Sequence, residues 1–138
     1  MNAHLQEIRE TFALLDEWEE RYRYIIELGR GLAPLPAGTR TAQNKVRGCA
    51  SQVWLVATLS NDDPPRLLLA GDSDAHIVKG LIAILFAIYD GKTPREAATL
   101  DARAILDELG LAAHLSPTRA NGLFAMVNRI GELARQAA

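Results

Sequence analysis

Leu5, Ile8, Phe12 and Leu15 recur at helical spacing, which predicts a first helix over residues 5–15. Asp16 with Glu19 three residues later has the form of a capping box and predicts a restart. Trp18, Tyr22, Ile25 and Ile26 then make one inner face, Gly29 and Gly31 end the helix, and Pro34 and Pro36 keep it ended. Residues 33–47 read as a loop, and structureless loops of about 15 residues in a compact domain are usually functional or disordered. Strict alternation begins at Ser51 and predicts a strand over residues 51–60. Ser51, Val53, Leu55, Ala57 and Leu59 share one side; Gln52, Trp54, Val56, Thr58 and Ser60 share the other. Neither side is strongly polar near Trp54, so both are expected to be partly covered there.

Asn61-Asp62-Asp63-Pro64-Pro65 is a turn, and residues 66–70 return as the second arm of an antiparallel hairpin. A lone hairpin is marginal in water, so a third strand is expected, drawn from residues 39–46. Asp72, Ser73 and Asp74 should close the hairpin and cap a helix over residues 74–89, whose stripe is Ile77, Leu81, Ile84, Leu85 and Ile88. Gly80 inside that helix implies a close neighbour. Thr93-Pro94-Arg95-Glu96 is a strong start signal for a short helix to Thr99. Another helix is expected over residues 101–109, stopped by Gly110. A last one starts at Ser116-Pro117 and runs to Gln136, with Leu123, Val127, Ile130 and Ala134 inward. The order predicts an α+β fold: a small antiparallel sheet of about three strands with helices packed on one face.

Residues 1–138 are read as one domain, long enough to bury a core. The chain has one cysteine, so an internal disulfide and a cysteine-built zinc or iron–sulfur site within one chain are excluded. A reducing compartment is the natural setting. Charged residues at Glu7, Arg9 and Glu10 leave no apolar signal core, and the longest apolar run, residues 81–89, is too short to span a bilayer. The expectation is a cytoplasmic protein that does not engage a membrane. A sequence pI near 5.9 gives no support for nucleic-acid binding as the main task.

The one cysteine, Cys49, lies where the polar loop gives way to the alternating strand, so rigid structure is expected on one side of it only. Its surroundings are cationic. Residues 28–61 contain Arg30, Arg40, Lys45 and Arg47 and no acid, whereas the chain as a whole has a net charge of −2. Cationic neighbours stabilise a thiolate, the nucleophilic form of cysteine. The alternative is an inert buried cysteine, since free Cys is among the most buried residue types. A basic segment of this kind can also meet an acidic patch on another protein.

Other constellations weigh less. Asp72-x-Asp74-x-His76 has the residue types of a metal site, but its position is that of a helix start, where these side chains cap backbone N–H groups and fan apart. Trp18 and Tyr22 read as core rather than as a ligand cage. Gly29-x-Gly31 follows no strand, so it is not a dinucleotide loop. A hydrolase would need Cys49 with His4, His76 or His114 as its base, and only His76 falls near in the expected fold. Asn121 and Gly122 are poor residues for a helix interior, so with Arg119 they either face something specific or are the solvated polar residues of a helix start.

Taken together, Trp18-Glu19-Glu20-Arg21-Tyr22-Arg23-Tyr24-Ile25-Ile26-Glu27-Leu28-Gly29, Asn44-Lys45-Val46-Arg47-Gly48-Cys49-Ala50-Ser51-Gln52-Val53-Trp54, Gly71-Asp72-Ser73-Asp74-Ala75-His76-Ile77-Val78-Lys79-Gly80-Leu81 and Leu115-Ser116-Pro117-Thr118-Arg119-Ala120-Asn121-Gly122-Leu123 resemble the SufE family of sulfur acceptors, and Ser-Gln after the cysteine is closer to SufE than to its CsdE relatives. The resemblance implies a fold shared with IscU-type scaffolds. It implies that Cys49 accepts persulfide sulfur from a pyridoxal-phosphate cysteine desulfurase of the SufS or CsdA type, stimulates that enzyme, and passes sulfur toward an iron–sulfur scaffold such as the SufBCD complex. On this reading the chain is a covalent carrier rather than an enzyme. It needs no cofactor or metal of its own, and is a monomer or homodimer. Gly48, Arg47, Gln52, Asp74 and Arg119 fall at supporting or partner-facing motif positions. An ion pair between Asp74 and Arg119 is expected to hold the cysteine loop. His76 stands at a variable position and takes no role from the resemblance.

Overall fold

The computed structural model of the chain describes residues 3–138. Helix α1 covers Ala3–Leu14 and α2 covers Trp18–Arg30; strands β1 (Val53–Leu59) and β2 (Leu67–Ser73) follow. Helices α3 (His76–Tyr89), α4 (Pro94–Thr99), α5 (Ala102–Glu108), α6 (Leu111–His114) and α7 (Pro117–Ala137) complete the chain. The class is α+β, as expected. β1 and β2 pair antiparallel, with Val53 opposite Ser73 and Leu59 opposite Leu67.

The sheet has two strands rather than three. The expected third strand shrinks to one bridge between Lys45 and Trp54. Val46 N–H donates to the Val53 carbonyl at 2.8 Å and Leu55 N–H to the Asn44 carbonyl at 2.9 Å. The segment cannot extend further in either direction. Before it, Thr39, Thr41 and Asn44 close on one another in turns; after it, Gly48 turns away at φ 90°.

α3 is the centre of the molecule. Its predicted stripe is buried at Leu81, Ile84, Leu85 and Ile88, but so are Val78, Ile82, Ala87 and Tyr89. A helix apolar on nearly all sides is one surrounded by other elements. Helices α1, α2, α5 and α7 all pack on it, and β2 lies against it. α2 and α3 cross with their backbones touching. A Cβ on Gly29 would lie 2.6 Å from the Gly80 nitrogen, and one on Gly80 would overlap the Ile25 carbonyl. Both positions therefore require glycine, which is the close neighbour that Gly80 implied. The inner sheet face is fully buried at Val53 and Leu55 but fades toward the hairpin tip, where Leu59 is exposed.

Local start signals succeed or fail according to what lies nearby. Thr93 and Glu96 form the predicted capping box, and Asp101 and Ser116 cap α5 and α7. The box expected at Asp16 and Glu19 is absent, and Glu17 caps α2 without a side-chain bond. Arg21 joins α1 to α2 instead, donating to the Leu15 and Phe12 carbonyls at 2.8 and 2.9 Å while lying over the Trp18 ring. The predicted cap at residues 72–74 is also overturned. β2 continues through Ser73, and α3 starts after Ala75 with no side-chain cap bond. Trp18 and Tyr22 pack against the core as read, with His114 stacked on Trp18 at 4.0 Å.

Candidate functional site

Residues 47–51 form a short arch pinned at both ends. On one side is the Asn44–Val46 bridge to β1. On the other, Asp74 Oδ1 accepts from the Gln52 N–H at 3.0 Å, and the Asp74 N–H donates to the Gln52 carbonyl at 3.3 Å. The expectation of support on the strand side only is thereby corrected: the loop side is held as well, because the free edge of β1 takes up the backbone groups of Asn44 and Val46. Gly48, with its positive φ, sits where an added Cβ would come within 3.3 Å of Ala125 on α7. Both the backbone angle and the closeness of α7 suit glycine there.

The arch carries Cys49 inward. Its thiol is half-buried and donates to the Gly122 carbonyl of α7 at 3.5 Å. Val78 and Leu81 of α3, with Leu123 and Met126 of α7, line a cavity of about 30 Å³ beside it, and Thr118 and Arg119 stand at its edge. Gly122 is buried against the cysteine; a Cβ there would meet Sγ at 3.6 Å, an ordinary contact, so only a side chain longer than Ala would enter the space of the sulfur. The odd Asn121-Gly122 pair in the sequence thus has a place in the fold: the helix puts its smallest residue where the cysteine packs. That oddity was the one signal in the sequence for this contact.

Burial pushes the Cys49 thiol up from its ordinary value. The cationic lead-in does not offset this in the resting arrangement. Arg30 pairs with Glu27 at 3.0 Å, and Arg40 pairs with Asp72 while lying over Trp54. Lys45 and Arg47 are exposed, and burial alone sets the direction of the thiol's shift. The expectation that these charges favour a thiolate therefore does not describe the inward pose.

Asp74 and Arg119 do not form the ion pair expected of them. Asp74 is committed to the Gln52 backbone, and Arg119 is exposed without an ion pair among the described residues. Asp72 joins no metal-binding cluster, since no group of three or more potential ligands occurs among the described residues. Burial acts to raise the Asp72 carboxyl, but bonds from Arg40 and the Ser73 N–H, with the charges of Lys79 and Arg40, hold it below the usual carboxylate range. His76 is exposed at the start of α3, and no histidine bonds to Cys49. The Cys–His pairing that a hydrolase requires is therefore absent among the described residues.

The family described as "SufE: Fe-S metabolism associated domain" matches residues 6–134. The chain belongs to the SufE family. The SufE match runs from α1 to the last turns of α7, so the cysteine arch, its cavity and both clips lie inside it. An uncharacterized SufE-like protein of Rhizobium meliloti (strain 1021) is 54% identical over 127 residues, covering 91% of each chain. Another from Rhizobium etli is 53% identical over 134 residues, covering 96% of this chain and 90% of that protein. In fold, the chain is similar to a hypothetical protein of Thermus thermophilus solved in solution, with TM-score 0.78, 22% identity, and coverage of 99% and 97%. Membership in SufE assigns the protein to iron–sulfur metabolism. No helix among the described residues is long and apolar enough to cross a membrane.

Proposed function

We propose that this protein is a cytoplasmic sulfur carrier that loads at Cys49. The donor is the persulfide of a pyridoxal-phosphate cysteine desulfurase of the SufS or CsdA type, and the cofactor stays with that enzyme. The observation that carries the reading is a single thiol on a pinned arch, tucked against α7 in a chain of the SufE family. In the transfer, the Cys49 thiolate attacks the terminal sulfur of the donor persulfide. The donor S–S bond breaks, its thiolate leaves, and Cys49 holds the new persulfide. One S–S bond is exchanged for another, so no outside oxidant is needed. With no second cysteine to resolve it, the sulfur leaves to another protein, an iron–sulfur scaffold such as the SufBCD complex. Removing the donor's product persulfide relieves the desulfurase, which is how a carrier stimulates it.

The inward pose shelters the thiol from oxidants, because burial raises its pKa and an exposed low-pKa thiol is oxidised readily. Loading requires the arch to open, with Gly48 as its pivot and Gln52–Asp74 as its fixed end. Opening would bring Cys49 toward Arg47 and Arg119, the cations available to stabilise the thiolate and the donor's charge. The test is incubation with a desulfurase and cysteine, followed by mass spectrometry. A gain of one sulfur atom on Cys49 is expected, with faster cysteine turnover. Cys49→Ser should fold and gain none, and full stimulation by that folded variant would overturn the reading.

A further inference from the structure

Beside the arch, the chain from Ala42 to Arg47 and the outer side of α7 enclose an open groove of about 390 Å³. Lys45, Arg47 and Arg129 line it, with Gln43, Asn128 and one acid, Glu132. None of the three cations is in an ion pair among the described residues, whereas Arg30 and Arg40, which share the acid-free stretch with Lys45 and Arg47, both are. Arg129 is held in place by donating from Nη2 to the Gln43 carbonyl at 3.2 Å. Its Nε is buried and has no acceptor. A buried guanidinium donor without a partner costs free energy, and Arg129 also carries its charge beside the groove with no counter-ion among the described residues.

We infer that this groove is an electrostatic docking site for a carboxylate-bearing segment of the protein that loads Cys49. The inference rests on the carrier reading and adds the recognition surface. Three cations against one carboxylate favour an anion, and the bond to the Gln43 carbonyl holds the Arg129 guanidinium at the groove. The groove shares Arg47 with the cysteine arch, so a partner whose reactive sulfur reaches Cys49 must also cover it. The remainder of the chain is net acidic, so a groove with three cations is a favoured place for an acidic partner to land.

The test uses the full chain and a cysteine desulfurase whose acceptor cysteine is replaced by serine, so that binding is read without chemistry. Binding of the wild type should weaken as salt is raised. Lys45→Glu, Arg47→Glu and Arg129→Gln should each weaken it, the charge reversals by about tenfold or more, through faster dissociation and slower association. Arg95→Glu, on the surface of α4 away from the groove, should bind as the wild type does. Lys45 and Arg47 are exposed, so their variants remain informative even if Arg129→Gln disturbs α7. Unchanged binding by folded groove variants overturns the docking site while leaving the carrier reading intact, as does equal weakening by Arg95→Glu. A wild-type chain that neither binds the serine variant nor gains sulfur from the active enzyme overturns both.

Discussion

At the residue scale, the chemistry turns on one sulfur and one missing side chain. Gly122→Ala places a methyl 3.6 Å from Sγ, an ordinary contact, so Cys49 should remain inward. The variant should gain up to about 1 kcal/mol from helix propensity. Gly122→Leu fills the seat and should drive the sulfur out. Alkylation at neutral pH should then rise above the wild-type rate, because the displaced thiol loses the burial that holds it protonated. In the wild type, labelling should lag behind that of an unstructured cysteine peptide and recover only at higher pH, because burial holds the thiol protonated. Labelling as fast as the peptide would show that the seat does not exist. Asp72 gives a second pH signature. Its folded carboxyl lies below the usual range, so its contribution is present above the unfolded value and is lost as pH falls through the folded one. Asp72→Asn should therefore lower the melting temperature at neutral pH, and the gap to wild type should close in acid.

At the scale of elements, two contacts separate stability from reactivity. The α2–α3 crossing depends on Gly80 lying against the Ile25 backbone, and neither helix can give without moving the core. Gly80→Ala should cost about 1–3 kcal/mol as overpacking, read by denaturant unfolding. The Asp74–Gln52 clip lies at the surface and holds only the far end of the arch. Asp74→Ala should speed Cys49 alkylation with little change in unfolding. A large loss of stability with unchanged labelling would mean that the clip serves the fold instead. Arg119→Ala removes an exposed cation at the cavity edge, so it should leave stability within about 0.5 kcal/mol of wild type and lower sulfur loading.

At the scale of the whole molecule, α3 and α7 form a fixed wall and the arch is the small part set against it. Opening the arch breaks a weak S–H···O bond and exposes the sulfur to water while leaving the helices in place. A partner can drive that change only by contacts it makes with the open form and not with the closed one. Alkylation of Cys49 should accordingly be faster in complex with a desulfurase lacking its acceptor cysteine than in the free protein. Equal rates would show that the partner does not shift the arch toward its open form.

Interactions short in sequence were legible without the structure. Helical spacing located α1, α2, α3 and α7, alternation located β1, and the Thr93–Glu96 box is local chemistry over three residues. The four-residue α6 and the missing third strand were not legible, because segments so short are decided by their neighbours. The sequence also isolated the only thiol and marked Asn121-Gly122 as out of place in a helix. It could not join them, since Cys49 and Gly122 are 73 residues apart and meet only through packing. For the same reason charge counted along the chain misjudged the resting thiol: four cations in sequence became two ion pairs and two exposed side chains in space. Asp74 likewise reads as a helix cap until β2 brings Gln52 within 3.0 Å of its carboxylate. The residues that bear the chemistry follow from their types, but whether a thiol is charged, sheltered or free to move depends on the solvent and partners that tertiary packing leaves around it.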